Sequence, residues 1–225
     1  MQFLSILTSI ALASAVMLSP SLAAKAQNTD TSRLDDVVLD MAQAYKQRDR
    51  RRLTALLPQV RGYVLEPWGA YWELSARLDD AGPTEIQDFM NRYSGTYQED
   101  RLRADYLLQL GRQRDWQTFN REYPKYRMND DKSVRCYALL AEHLSGGTDV
   151  NKAVYDTWLS QKDADEGCRY MAQTLLPVGV LTPADLWTRA RHAAEFVRAH
   201  RAHDDSAGIP RHEKIRDMCR KVSVR

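Results

Sequence analysis

The stretch LRADYLLQLGRQRDWQTFNREY, residues 102–123, holds a complete helical hairpin. Leu102, Tyr106, Leu107 and Leu110 recur at intervals of three and four, so they line one face of a helix. Gly111 to Asp115 is a turn signal, and Asp115 is a good N-cap for the second helix. Trp116, Phe119 and Tyr123 then open a second apolar stripe. Outward from this hairpin the same grammar repeats. Turn signals fall at Lys46 to Asp49, Asp79 to Pro83, Ser145 to Asp149 and Val178 to Pro183, and Asp49, Gly82, Asp115, Thr148 and Leu181 are successively 33 residues apart. A helix–turn–helix unit needs about that length, and one such unit cannot bury its own apolar face. Stacked neighbours can. No segment alternates apolar and polar residues long enough to claim a strand. The prediction is an all-α protein, a right-handed α-superhelix of about five helical hairpins in the manner of a TPR-like solenoid.

Each second helix opens with its own start chemistry. Pro83-Thr84-Glu85 precedes the stripe of Ile86, Phe89 and Met90; Asp149 is expected to cap the helix of Val154 and Trp158; Thr182 precedes Pro183 at the first helical position, ahead of Leu186 and Trp187. The large aromatics here are expected to fill the groove between adjacent hairpins, with stacking on sugar rings as the functional alternative. The first helix of the series carries Leu34, Val37, Val38, Met41 and Tyr45 on one stripe.

Before it, Met1 to Ala26 reads as a secretory signal peptide. Phe3 to Val16 is apolar or small, Pro20 is expected to end any helix, and Ala24-Lys25-Ala26 supplies a small-x-small cleavage pattern. Ser5, Thr8, Ser9 and Ser14 interrupt the run and Ser19 follows it, and the stretch falls short of the roughly 20 strongly apolar residues of a membrane span. No positive side chain precedes it. Export to the periplasm is the expectation, with no membrane span after signal removal. The full chain carries 28% charged residues in near balance and a net charge of +2. A nucleic-acid binder would gather its Lys and Arg into one stripe, so no nucleic-acid partner is expected.

Cysteine use agrees with export. Cys136 and Cys168 lie 32 residues apart, close to one repeat, so a solenoid sets them side by side. In an oxidising compartment such a pair is expected to close, the alternative being two unpaired buried thiols. A loop of that length stabilises by about 3.5 kcal/mol in the chain-entropy picture. Cys219 has no obvious partner, and no C-x₂-C spacing suggests a metal.

One further stretch resembles a known family. Leu57-Pro58-Gln59, followed by Tyr63-Val64-Leu65-Glu66-Pro67-Trp68-Gly69-Ala70-Tyr71-Trp72-Glu73-Leu74, is similar to a signature near the start of soluble lytic murein transglycosylases. Ile86 to Phe89 with Tyr93, Leu102-Arg103, Leu107 to Leu110, Trp116 with Phe119 and Tyr123, Cys136-Tyr137-Ala138 and Gly167-Cys168 come after it in the same order. The resemblance covers roughly residues 33–195. It implies a superhelix curved into a U or ring, with Cys136 and Cys168 matching the family's disulfide. The family cleaves the bond between N-acetylmuramic acid and N-acetylglucosamine without water, using one Glu as acid and then base, forming a 1,6-anhydro ring. That Glu sits in a Glu-Ser motif of a separate catalytic domain, and this sequence contains no Glu-Ser dipeptide. Glu142, Glu166 and Glu195 read as solvated carboxylates. No catalytic, cofactor-binding or metal residue is therefore assigned; Cys136 and Cys168 are the assigned disulfide, and the chain alone is expected not to be an enzyme.

From Phe196 to Arg225 eight Lys and Arg face four Asp and Glu, and His200, His203 and His212 fall in this tail. The sequence thus divides into a signal peptide (1–26), a transglycosylase-like superhelical domain (27–195) and a divergent basic tail (196–225), where the tail is read as a departure of the reading frame from the family, leaving a truncated product. A metal site on the three tail histidines lacks a defined third ligand position. The function expected is that of a non-catalytic, peptidoglycan-associated superhelical domain, with peptidoglycan or cell-wall enzymes as partners and no cofactor. The alternative is an exported TPR-like protein-interaction module.

Overall fold

The computed structural model describes residues 20–147, 150–160 and 165–204. Among them are ten α-helices and no strand: α1 (Pro20–Lys46), α2 (Arg50–Leu56), α3 (Glu66–Ala76), α4 (Pro83–Arg92), α5 (Tyr97–Gln113), α6 (Trp116–Glu122), α7 (Lys132–Leu144), α8 (Asn151–Leu159), α9 (Glu166–Leu175) and α10 (Pro183–Asp204). Short 3-10 turns extend α2 at Leu57–Val60, succeed α3 at Leu78–Asp80 and extend α6 at Tyr123–Lys125. Two compact units result, Met1–Gly69 and Ala70–Arg225.

In the first unit α2 and the turn after it fold back on α1. The arginine-rich α2 stays docked through one apolar side, where Leu53 and Val60 are fully buried with Met41 of α1. Asp49 caps α2 by accepting from the Arg52 amide at 3.0 Å. Gly69 is required by close approach: a Cβ there would stand 3.0 Å from the Met41 sulfur and 3.2 Å from Val60. The predicted stripe on α1 holds, with Val38 and Met41 buried and Leu34, Val37 and Tyr45 half-buried. Pro20 stands at the first position of α1, where its missing N–H costs nothing. The apolar run 3–16 lies outside the described residues.

In the second unit consecutive hairpins share cores. Phe119 of α6 is buried with Ala104, Leu107 and Leu110 of α5 and Val134, Tyr137 and Ala141 of α7. Val154 and Trp158 of α8 are buried with Cys136, Leu139 and Leu140 of α7 and Cys168, Met171, Ala172 and Leu175 of α9. Helix α7 meets α9 so closely that a Cβ on Gly167 would stand 2.4 Å from the Ser133 carbonyl oxygen. Gly111 performs the same service between α5 and α7, where a Cβ would stand 2.4 Å from the Tyr137 ring. The bond between Cys136 and Cys168, with Cα atoms 4.8 Å apart, ties α7 to α9 inside this core.

The predicted interval survives in detail. Asp49, Gly82 and Asp115 are the N-caps of α2, α4 and α6. Four residues beyond them Leu53, Ile86 and Phe119 are 0%, 2% and 0% exposed. Helix α8 departs from the pattern: Val150 stands at its N-cap without a side-chain bond, and Asp149 lies outside the described residues. At α10 Thr182 and Asp185 cap reciprocally, the Asp185 amide donating to the Thr182 hydroxyl and the Thr182 amide to the Asp185 carboxylate.

Candidate functional site

Helices α4, α5 and α6 enclose an open cleft of about 360 Å³ within the second unit. Pro83, Thr84, Gln87 and Asp88 come from the start of α4, Tyr106 from the middle of α5, and Arg121 and Glu122 from the end of α6. Local sequence puts them there. Ile86, Phe89 and Met90 form the buried side of α4, so Thr84, Gln87 and Asp88 are left on its exposed side. Phe119 and Glu122 turn inward from α6, and Arg121 is left outward.

Glu122, one of the cleft's lining residues, belongs to a buried ionic network. Arg103 of α5 is 6% exposed and donates to Glu99 on its own helix and to Glu122 on α6. Glu122 also receives Lys125 at 3.0 Å. Glu99 receives the half-exposed Arg127 at 2.9 Å. Asp100, 1% exposed, accepts the backbone amides of Arg127 at 2.9 Å and Met128 at 2.7 Å, which pins the turn that leads from α6 to α7. Three buried carboxylates are thus matched by Arg103, Lys125 and Arg127, with Arg121 a more distant fourth partner 3.9 Å from Glu122, the condition under which burial of charge is tolerated. Burial pushes the Tyr106 phenol above its ordinary value, and the nearby carboxylates of Glu122 and Asp115 push the same way, so Tyr106 stays a neutral hydroxyl.

The cleft offers a phenol ring, a hydroxyl, an amide, two carboxylates and a guanidinium. Such groups can donate and accept hydrogen bonds and offer ring contact to a polar molecule. Among the described residues no cluster of three or more His, Cys, Asp or Glu could hold a metal ion. None of their helices is long and apolar enough to cross a membrane.

Cys136 and Cys168, the predicted pair, are joined and fully buried. Glu142, Glu166 and Glu195 are exposed on three different helices. Trp158 is 8% exposed under the Arg189 guanidinium, and Trp116 packs against Phe119 and Tyr137, as expected of groove-filling aromatics. Trp187 does not join them; it is 72% exposed, because it sits one residue past the inward Leu186. His212 lies outside the described residues, as do the side chains of His200 and His203. Sequence reading finds neither the cleft nor the ionic network. The four-residue spacing of Glu99 and Arg103 is a visible signal, but on a solvated helix face it reads the same way.

The structure resembles that of a 70-kDa soluble lytic transglycosylase solved in complex with bulgecin A, with a TM-score of 0.55 and 16% sequence identity. The match covers 82% of this chain and 30% of that one, so the chain spans less than a third of the solved protein. At that identity the likeness is one of fold. No protein-family model and no curated protein matches the sequence.

Proposed function

We propose that this chain is an exported, non-catalytic superhelical domain of the soluble lytic transglycosylase type, which associates with peptidoglycan through the cleft between α4, α5 and α6. The fold likeness over 82% of the chain carries the reading. Three further features support it. Met1 to Ala26 has the pattern of a cleavable signal peptide, which suits a periplasmic body of residues 27–195. The Cys136–Cys168 bond suits an oxidising compartment. The cleft's hydroxyl, amide and ring groups suit a polymer of amino sugars and short peptides. The family's cleavage of the MurNAc–GlcNAc bond is assigned to a catalytic domain of the Glu-Ser type and not to these residues.

Sedimentation with purified sacculi tests the proposal. The protein should pellet with sacculi, the Gln87→Ala/Arg121→Ala variant should remain in the supernatant, and the digest should contain no anhydro-muropeptides. A supernatant that keeps the unaltered protein would reject peptidoglycan association and favour the protein-interaction alternative. Anhydro-muropeptides in the digest would reject the non-catalytic assignment.

A further inference from the structure

The cleft between α4, α5 and α6 holds one charge of each sign that the fold leaves uncompensated. On the α6 side the acids Glu99, Asp100 and Glu122 are already met by Arg103, Lys125 and Arg127. Arg121 is a fourth cation for three acids. It stands 3.9 Å from Glu122, and its side chain is 60% exposed. Among the described residues it donates to a neutral group, the Thr118 hydroxyl at 3.3 Å, and to no carboxylate. Asp115, whose charge also interacts with Arg121, is engaged in capping α6 through the Thr118 amide.

On the α4 side the imbalance is reversed. Glu85 is paired with Arg77, but among the described residues no basic side chain pairs with Asp88. Asp88 lies four residues past Thr84 on the exposed side of α4, and both line the cleft. Helix α5, against which α4 and α6 both pack, adds the neutral Tyr106 hydroxyl, which can donate and accept.

We infer that the cleft takes a short peptide with a free ammonium and a free carboxylate, the ammonium at Asp88 and the carboxylate at Arg121. This rests on the peptidoglycan reading above and names the uncrosslinked stem peptide as the part recognised. The acetylated glycan offers no such pair of charges. Its amino groups are amides, and the lactyl carboxyl of each N-acetylmuramic acid is bound in the amide that begins the stem. An uncrosslinked stem carries a diamino acid with a free side-chain amine, beside free carboxyl groups. Arg121 can receive a carboxylate through two parallel N–H donors, a geometry that an amide does not reproduce. Crosslinking consumes the amine, so a crosslinked stem loses its contact with Asp88.

Calorimetric titration of the full chain tests this with four ligands. They are Nα-acetyl-L-Ala-γ-D-Glu-L-Lys, the same peptide acetylated on the lysine amine, the same peptide with its carboxyls amidated, and peptide-free glycan strands. The first should bind, and each modification should weaken it about tenfold or more, the effect of one charge-assisted bond. Asp88→Asn should weaken the first peptide and abolish the effect of amine acetylation; Arg121→Gln should do the same for amidation. Both side chains are exposed, so both variants should keep the fold. Peptide binding that is indifferent to acetylation and amidation would overturn the inference. So would glycan strands that bind where the peptide does not, a result that leaves peptidoglycan association standing. Binding of neither also overturns it, and sedimentation with sacculi then decides separately whether association itself fails.

Discussion

Arg103 is the residue on which most of the second unit's buried charge depends. It is 6% exposed and bridges Glu99 on α5 to Glu122 on α6. Arg103→Leu preserves bulk but leaves two carboxylates short of their partner in a desolvated site. Breaking a buried pair from one side costs about 3–5 kcal/mol, and denaturant unfolding should register a loss of that order. Arg103→Lys should recover only part of it, because an ammonium cannot reach both acids with a fixed fork. Asp105 poses the opposite case. Burial raises its carboxyl pKa, against the Tyr71 hydroxyl that donates to it at 2.9 Å and the Arg101 cation. For an acid whose folded pKa lies above its unfolded one, the folded state binds the proton more tightly. Stability is then highest below the unfolded value and declines as pH rises through the folded one. Asp105→Asn keeps an acceptor for Tyr71 and removes the titration. Melting temperatures across pH 3–8 should show the variant gaining on the parent protein as pH rises; a constant difference would contradict the assignment. Asp115 runs the other way, its pKa lowered by the Thr118 hydroxyl and amide, so the stability it lends is lost as pH falls.

At the scale of the element, close approach of helices is what the sequence encodes most quietly. Gly167 lets α9 touch the Ser133 backbone on α7, and a Cβ would need to move one of them. Gly167→Ala should therefore destabilise by about 1–3 kcal/mol despite alanine's better helix propensity, as overpacked contacts do. Replacing Cys136 and Cys168 with Ser at the same pair of helices should cost about 2–5 kcal/mol. Thermal melts with and without reductant check both, since only the parent protein and the glycine variant should respond to reductant. These elements also mark how far sequence reading reaches. The helix stripes, the Asp49 and Asp115 caps and the 33-residue interval are legible because each is local, set by residues a few positions apart. The Cys136–Cys168 pair is legible because the repeat converts sequence distance into spatial adjacency. Glu99, Arg103 and Glu122 are not, since a charged residue facing a neighbouring helix and one facing water leave the same local pattern. The cleft is hidden for a related reason: Tyr106 reads as one more member of an apolar stripe. Trp187 misleads because one step along a helix turns a side chain by about 100°.

At the scale of the molecule, an array of two-helix units gains stability from each shared core, so its ends are its weakest places. The cleft between α4, α5 and α6 combines a polar lining with Glu122, which the buried Arg103 holds in place. Its proposed ligand is a strand of peptidoglycan. The most direct test is an NMR titration of the isotope-labelled protein with a soluble, uncrosslinked peptidoglycan oligomer. Saturable shift changes grouped on Thr84, Gln87, Tyr106 and Arg121 are expected, together with their loss in Gln87→Ala/Arg121→Ala. A spectrum unchanged at saturating oligomer, or changes confined to residues away from α4, α5 and α6, would contradict peptidoglycan binding at this cleft.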